Sequence, residues 1–522
     1  MTPAPQRIRL LEAALAQFAE RGFAETTLAS VASASGIPLH EIVAFYPSKY
    51  AFAMDLYHIL IADLEEGAAQ LAPGPLADRF AAILNRKLDL LDRHRSAFRA
   101  LIAAAVDSEG PIGVLSNSTS VIRSRMSSVI WTAVAGATDC PPEATVGRLL
   151  YGVHLGIVLL WTQDTDGAMA RTAVRTLHGL LSSFAPFLAT PMGVTQLERL
   201  TAPLGERLNT AVNADVDGRA RWVLHRLMSQ RRLHPGLSSA SITEDQLAPH
   251  LEIVRSALAS DQPLELVLPA FPAKSPNPEK VLGKLPDMAE LVALRSLQRL
   301  CDDLTALHPP GVRLHLCSDG LVFADVVGVA DADVTAYGEA LDAILSDLPS
   351  LTRVDLSHLF GEATPAQARA RLLAGWSETA EELHQKIEST PALAHQLDGL
   401  HRFLFEDAVG VGSEQSRTQL RKHARELAFE TLRRSRAWGR LLATCFPHAV
   451  RLTIHPQPLV SEKIGIHFVP TADAWLTPWH GAALVEKDGF QLVKVKLALE
   501  NGATIVHRDG RASHLEMDKS LD

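Results

Sequence analysis

The apolar residues of this chain keep spacings of three and four over roughly its first 190 positions, then give way to short apolar runs set between helical stretches. The first pattern buries one stripe of a helix and the second buries strands, so the chain must build two different cores. Its 522 residues are enough for both. In "RIRLLEAALAQFAERG" Ile8, Leu11, Leu15 and Phe18 share a helix face, and Gly22 ends it. "TTLASVASASG" follows, with Thr26 as a helix cap and Gly36 as a turn. "PLHEIVAFYPSK" is a short helix held between Pro38 and Pro47. The most apolar run, "LLYGVHLGIVLLW" at 149–161, is too short to span a bilayer and contains His154, so it reads as a buried helix.

Strand-like runs then appear at 264–268, 313–317, 351–356, 450–454 and 464–469. Helical segments such as 287–307 and 366–387 separate the earlier ones, an alternation expected of an α/β, Rossmann-like domain with a mostly parallel sheet. Runs at 481–486 and 490–497 flank Asp488-Gly489, a hairpin signal, so the closing strands read as antiparallel. Pro191, Gly193, Pro203 and Gly205 mark the boundary between the two patterns. The expected order is a helical head at 1–60, an all-α bundle at 61–192, a linker at 193–215 and the α/β domain at 216–522.

Apolar residues make up 47% and charged residues 21%, an ordinary globular composition, and a net charge of -9 offers no global attraction to nucleic acid or an anionic membrane. The four cysteines are scattered without a CxxC pair, which excludes a disulfide framework or zinc site by spacing and fits a reducing cytoplasm. No basic stretch precedes an apolar core at the N-terminus, so no signal peptide is expected.

Helix, short helix, turn, short helix and long helices in that order describe a helix-turn-helix bundle. With Phe18, Gly22-Phe23, Thr26-Thr27, Ala32, Gly36, Tyr46 and Ser48-Lys49 as landmarks, residues 7–60 resemble the DNA-binding segment of the tetracycline-repressor family. The helices to about 190 fit that family's dimerising part by class and length, which implies a homodimer through this bundle. The resemblance places DNA contacts at Thr27, Leu39, His40, Tyr46 and Lys49. The reading helix departs from the family pattern, with Leu39, His40 and Val43 where small or basic, glycine and tyrosine residues are usual. Residues 1–60 carry four basic groups (Arg7, Arg9, Arg21, Lys49) against five acidic ones (Glu12, Glu20, Glu25, Glu41, Asp55). Phosphate neutralisation dominates DNA affinity, so this head is expected to bind DNA weakly.

The second half holds three clusters. "FPAKSPNPEKVLGKLP", 271–286, fixes lysines on a proline-stiffened loop just after a strand, where α/β sheets bind ligands. Lys274 could meet a phosphate or carboxylate, with Ser275 and Asn277 as hydrogen-bonding neighbours; Lys280 and Lys284 read as solvated. The alternative is a surface loop with solvated lysines throughout. "CSDGLVFADVVG", 317–328, reads as a strand, a turn at Asp319-Gly320 and a resumed strand. Asp319 and Asp325 could be a metal pair or acid/base groups, or Asp319 a turn residue; no further ligands follow at metal spacing. In "RLTIHPQPLVSEKIGIHFVP", 451–470, Arg451 and His455 fall on one strand face and Lys463 precedes the next strand; "TPWHG" adds Trp479 and His480.

Taken in order from about 240 to 517, these stretches, with "HRFLFEDAV" and "SRTQLRKHARELAFETLRRSRAW", resemble the pyoverdine/dityrosine biosynthesis family, the isonitrile synthases. That resemblance implies conversion of an amino acid's α-amine, commonly that of tyrosine or tryptophan, into an isonitrile. The added carbon comes from C2 of ribulose 5-phosphate. An imine forms first and carbon–carbon bonds break later. No metal or redox cofactor is implied, and a separate iron- and 2-oxoglutarate-dependent oxygenase often processes the product. Such chemistry needs cations for phosphate and carboxylate and proton carriers near neutrality. The residues assigned on this basis are Lys274, Asp319, His455 and His480 for catalysis, and Ser275, Asn277, Arg451, Lys463 and Trp479 for substrate binding. A different class also fits the domain order: a repressor-type regulator whose second domain senses a metabolite, or a bifunctional enzyme-regulator.

Overall fold

The computed structural model describes residues 5–517 except 108–109, 141–142, 189, 197, 200–215, 238–241, 412–414, 468 and 470–475. The chain divides into two compact units, Met1–Ser229 and Gln230–Asp522. Most of the expected linker lies outside the described residues. The helix Val216–Met228, expected with the second domain, clusters with the first.

The first unit is helical: α1 (Pro5–Arg21), α2 (Leu28–Ser35), α3 (Leu39–Phe45), α4 (Lys49–Ala69), α5 (Leu76–Arg93), α6 (Arg95–Val106), α7 (Ser120–Ala135), α8 (Ala144–Gln163) and α9 (Ala168–Leu188). In α1 the buried stripe is Leu10, Leu11, Ala14, Leu15 and Phe18, while Ile8 falls outside it. Thr27, not Thr26, caps α2: its hydroxyl accepts from Ser30 N at 3.0 Å, and Gly36 ends the helix at φ 68°, where a side chain would be strained. Thr26 is buried and donates to the Gly22 carbonyl at 2.8 Å. Among the described residues, α8 is the one helix long and apolar enough to cross a membrane. It is only half-buried, since Leu159 and Leu160 are exposed.

The head residues that would touch DNA are largely occupied. Tyr46 is buried and donates to Asp55 at 2.6 Å; Lys49 Nζ donates to the Phe23 and Ala24 carbonyls at 2.9 and 2.6 Å. Thr27 is spent on its cap. Leu39 and His40 are half-buried, and Glu41 lies 3.9 Å from the His40 ring. Tyr46, Lys49 and Thr27 therefore hold the bundle together rather than offering groups to phosphate.

In the second unit, β1 (Leu264–Leu268), β2 (Val312–Cys317), β3 (Leu351–Val354), β4 (Val450–Thr453) and β5 (Ile464–Gly465) form a parallel sheet in the order β3-β2-β1-β4-β5. A second sheet, β7 (Gly489–Val493), β6 (Ala482–Glu486), β9 (Arg511–Met517) and β8 (Ala503–Arg508), has antiparallel β6–β7 and β8–β9 pairs joined by a parallel β6–β9 pair. The hairpin is present, but its second strand stops at Val493 and Val495–Glu500 is a helix. Three other expectations are corrected. Residues 320–327 form a helix rather than a resumed strand, because Leu321, Val322 and Ala324 pack inward at helical spacing. The 366–387 segment is two helices, Pro365–Trp376 and Ala380–Ser389, each capped by its own threonine. β4 ends at Thr453, so His455 lies beyond the strand face expected to carry it.

The parallel sheet decides where a ligand can sit. The chain runs from β1 to β2 and β3 on one side, then returns to place β4 on the other side of β1. The strand order therefore reverses between β1 and β4, and the region outside their carboxyl ends is the cleft in which such sheets bind ligands.

Candidate active site

The loop after β1 enters with Phe271 at φ 58°, a strained conformation for a bulky residue, and both Phe271 and Trp479 are buried against each other at 5.1 Å. Gly320 lets the loop approach the start of the next helix: a Cβ there would fall 1.9 Å from the Pro272 carbonyl. Trp479 is thus buried in the core, where it anchors the loop.

Lys274 is fully buried. Its ammonium lies 2.8 Å from Asp287, 2.8 Å from Glu290 and 2.9 Å from the Pro478 carbonyl, which accounts for all three protons. Burial alone would strip its proton, but the two carboxylates outweigh that and hold it charged. Burial pushes Glu290 up to about 8, against the pull of the lysine. The Tyr337 hydroxyl donates to Glu290 at 3.1 Å and completes it. Lys274 is not a free cation for phosphate. Ser275 and Asn277 are likewise buried in the loop's own structure: Ser275 Oγ donates to Asp407 at 3.4 Å and accepts from Asn277 N, while Asn277 Oδ1 accepts from Glu279 N at 2.9 Å.

Lys280, read above as solvated, is 5% exposed. It pairs with Asp407 at 2.5 Å and sits over the Phe403 ring at 4.6 Å. Both partners come from the helix Pro391–Val411, which covers the loop so closely that a Cβ on Gly410 would strike the Asn277 side chain. His480 packs edge-on against Phe403 at 4.6 Å. Its Nδ1 pairs with the Thr477 hydroxyl at 2.9 Å, leaving Nε2 for proton transfer. Lys284 is exposed, as expected, beside Asp333.

His455, Lys463 and Arg451 gather at the β4 end of the cleft. His455 and Lys463 both keep exposed surface, with neighbouring cations close enough to lower their proton affinity. Burial, then Arg232 and Lys463, lower His455 to about 4; burial, then Lys280, Lys274 and His455, lower His480 to about 3. Both imidazoles are neutral at pH 7, first because of burial and then because of the cations around them. Lys463's proton affinity is lowered by burial, then by Arg451, with Glu462 acting against them and Arg436 adding to them. Asp319 follows β2 by two residues, immediately before the helix at 320–327, and burial raises its carboxyl to about 7. Asp325 is neutralised by Arg434 at 2.6 Å and by Arg369, so the two aspartates are not a metal pair.

The structure thus brings Asp319, His455, His480, Arg451 and Lys463 to the carboxyl edge and turns Lys274, Ser275, Asn277 and Trp479 into its supports. Sequence reasoning missed Asp407, Phe403, Arg232 and Glu290. "HRFLFEDAV" held two of them, but nothing local says that this helix folds over a loop more than 100 residues earlier.

The pyoverdine/dityrosine biosynthesis protein family matches residues 254–505. An L-tryptophan isonitrile synthase of Fischerella ambigua is 40% identical over 270 residues, 51% of this chain and 82% of that protein. An L-tyrosine isonitrile synthase of Pseudomonas aeruginosa is 38% identical over 306 residues, 56% of this chain and 93% of that protein. The crystal structure of PvcA from Pseudomonas aeruginosa superposes with a TM-score of 0.54 at 36% identity, covering 57% of this chain and 99% of that one. The parallel sheet, the cationic cleft at its reversal and these relatives agree: through its second unit, the chain belongs to the pyoverdine/dityrosine biosynthesis family, whose members here are isonitrile synthases.

Proposed function

We propose that the second unit converts the α-amine of tyrosine or tryptophan into an isonitrile, with ribulose 5-phosphate as the carbon donor, in secondary metabolism. The observation that carries this reading is the set of groups brought together there: the cations Arg451 and Lys463 beside two neutral imidazoles and a carboxyl poised near 7. A sugar phosphate and an amino acid carboxylate answer the charge. Condensing the amine with the ketone forms a C=N bond and releases water, which needs a base on the attacking ammonium and an acid on the departing hydroxyl. Asp319, ionised above about 7, takes the ammonium proton and, once protonated, returns it to the departing hydroxyl, while His480 and His455 stay neutral beside it as hydrogen-bonding groups. Arg451 and Lys463 hold the phosphate. This route uses no metal or redox cofactor, and an iron- and 2-oxoglutarate-dependent oxygenase is the partner enzyme that takes the product onward. Four cysteines that form no disulfide favour a reducing compartment such as the cytoplasm.

The purified chain, given tyrosine or tryptophan and ribulose 5-phosphate labelled with carbon-13 at C2, should yield an isonitrile whose terminal carbon carries the label by mass spectrometry. No labelled isonitrile across a panel of aromatic amino acids would overturn the reading.

For the first unit the same proposal includes a homodimer. A groove of about 600 Å³ runs between α8 and α9, lined by Val153, Ile157, Met169 and Leu180, with Phe184 and Phe187 exposed beyond it. Contiguous apolar surface of this kind marks an interface. Sedimentation of the full chain should show a dimer that Phe184→Glu with Leu180→Glu dissociates; a monomeric native chain would refute it.

A further inference from the structure

The cations at the β4 end extend beyond the residues assigned above. Arg451 donates to the Gly439 carbonyl at 3.2 Å and so lies flat against the helix Arg417–Cys445. A helix that leads into a parallel strand runs antiparallel to it. A step toward its N-terminus is therefore a step toward the strand's carboxyl end and the cleft. Arg436 stands three residues before Gly439, about 4.5 Å along the axis and on nearly the same face. Lys463 stands beside Arg451 in the β4–β5 register, and Arg436 is close enough to act on the same ammonium.

Arg436 is not left to swing. Glu378, only 5% exposed in its side chain, sits in the break between the helices Pro365–Trp376 and Ala380–Ser389. It accepts from Arg436 Nε and Nη2 at 2.6 and 2.9 Å, a fork that fixes the guanidinium plane. The same carboxylate takes Arg440 at 2.5 Å and Lys386. Arg440 is tied further to the Trp376 carbonyl at 2.9 Å. Three cations thus share one carboxylate, and that side of the cleft keeps an excess of positive charge. Hydrogen bonding to these cations holds the Glu378 carboxyl well below the usual range, so it stays an anion at any working pH. A single buried carboxylate that gathers three cations without neutralising them aligns charge for something else.

We propose that Arg436 is the third arm of an anion site shared with Arg451 and Lys463, that the site takes the phosphate of the sugar phosphate, and that Glu378 is its positioning residue. The inference rests on the proposed function for the identity of the sugar phosphate, but not for the anion site. Each arm supplies a charge-assisted hydrogen bond to a dianion, and the Arg436 fork supplies direction.

The test uses the full chain. Inorganic phosphate is titrated by calorimetry into wild type, Arg436→Gln, Arg436→Lys and Glu378→Gln, and each folded variant is assayed for KM and kcat. Arg436→Gln should weaken phosphate binding and raise KM for ribulose 5-phosphate about 10- to 100-fold, leaving KM for the amino acid within about twofold. Arg436→Lys should restore part of the affinity by returning the charge. Glu378→Gln should raise KM for the sugar phosphate about 5- to 20-fold with kcat little changed, which loss of folded protein would not do. If wild type turns over ribulose 5-phosphate and Arg436→Gln leaves that KM unchanged, the proposal is overturned. If no turnover occurs but phosphate binds and Arg436→Gln weakens it, the anion site stands and the sugar phosphate is wrong. If wild type binds no phosphate, the site is refuted whatever the activity.

Discussion

Replacing Lys274 with methionine should destabilise the second unit by about 3–5 kcal/mol, because Asp287 and Glu290 would be left buried without their cation. For a unit of this size that is a fall in its melting temperature on the order of 10 °C, read by circular dichroism on the full chain. Pairing Lys274→Met with Glu290→Gln should recover part of the loss, since the double variant removes one orphaned acid along with the cation. The wild-type cluster also sets a pH dependence. Glu290 stands at about 8 in the fold against 4.5 for its ordinary value, so the fold binds that proton more tightly than the unfolded chain does. Its contribution is fully present below 4.5 and is lost as pH rises through about 8, and Glu290→Gln should flatten that slope. A Lys274→Met protein of native stability with no turnover would sink the structural assignment and return Lys274 to the chemistry.

Asp319→Asn should act in the opposite way, on rate and not on stability. Losing the base should lower kcat/KM about 10²- to 10⁴-fold. In wild type, kcat/KM should fall as pH drops through about 7, where Asp319 takes its proton, and the residual activity of the variant should lack that limb. The histidines cannot supply it, since both are already neutral well below that pH. The stability sign separates this from a structural role. A carboxyl raised from 3.8 to about 7 contributes stability present below 3.8 and lost as pH rises through 7. At pH 7.5 the asparagine variant should therefore be at least as stable as wild type. Marked destabilisation there, or more than about a tenth of wild-type turnover, would count against Asp319 as the base.

What could be read in the residues was set by local physics. The runs at 264–268 and 313–317 became β1 and β2 because a buried parallel strand shows as a continuous apolar run. The Asp488-Gly489 hairpin appeared because its turn is chemical and local. Residues 317–328 misled because "DG" also suits a strand-to-helix junction, and the pattern after it is too short to separate period 2 from 3.6. At the site, residue types were legible and their directions were not. Lys274 and Lys280 look alike in a proline-rich loop. Both are buried, Lys274 against the start of the helix that follows the loop and Lys280 against Asp407, which comes from a helix far along the chain. Lys463 and Arg436 show the reverse limit: their shared cleft arises from where the strand order turns back, which no local window contains.

The two buried lysines of that loop close their ion pairs over very different lengths of chain. Lys274 finds Asp287 across 13 residues, whereas Lys280 must wait for Asp407 across 127 (407 − 280). Closing the longer ring costs about 2 kcal/mol more in chain entropy. On the ribosome, and in every refolding event, one end of the loop is staked down by its own flanking helix well before the other is fastened from outside.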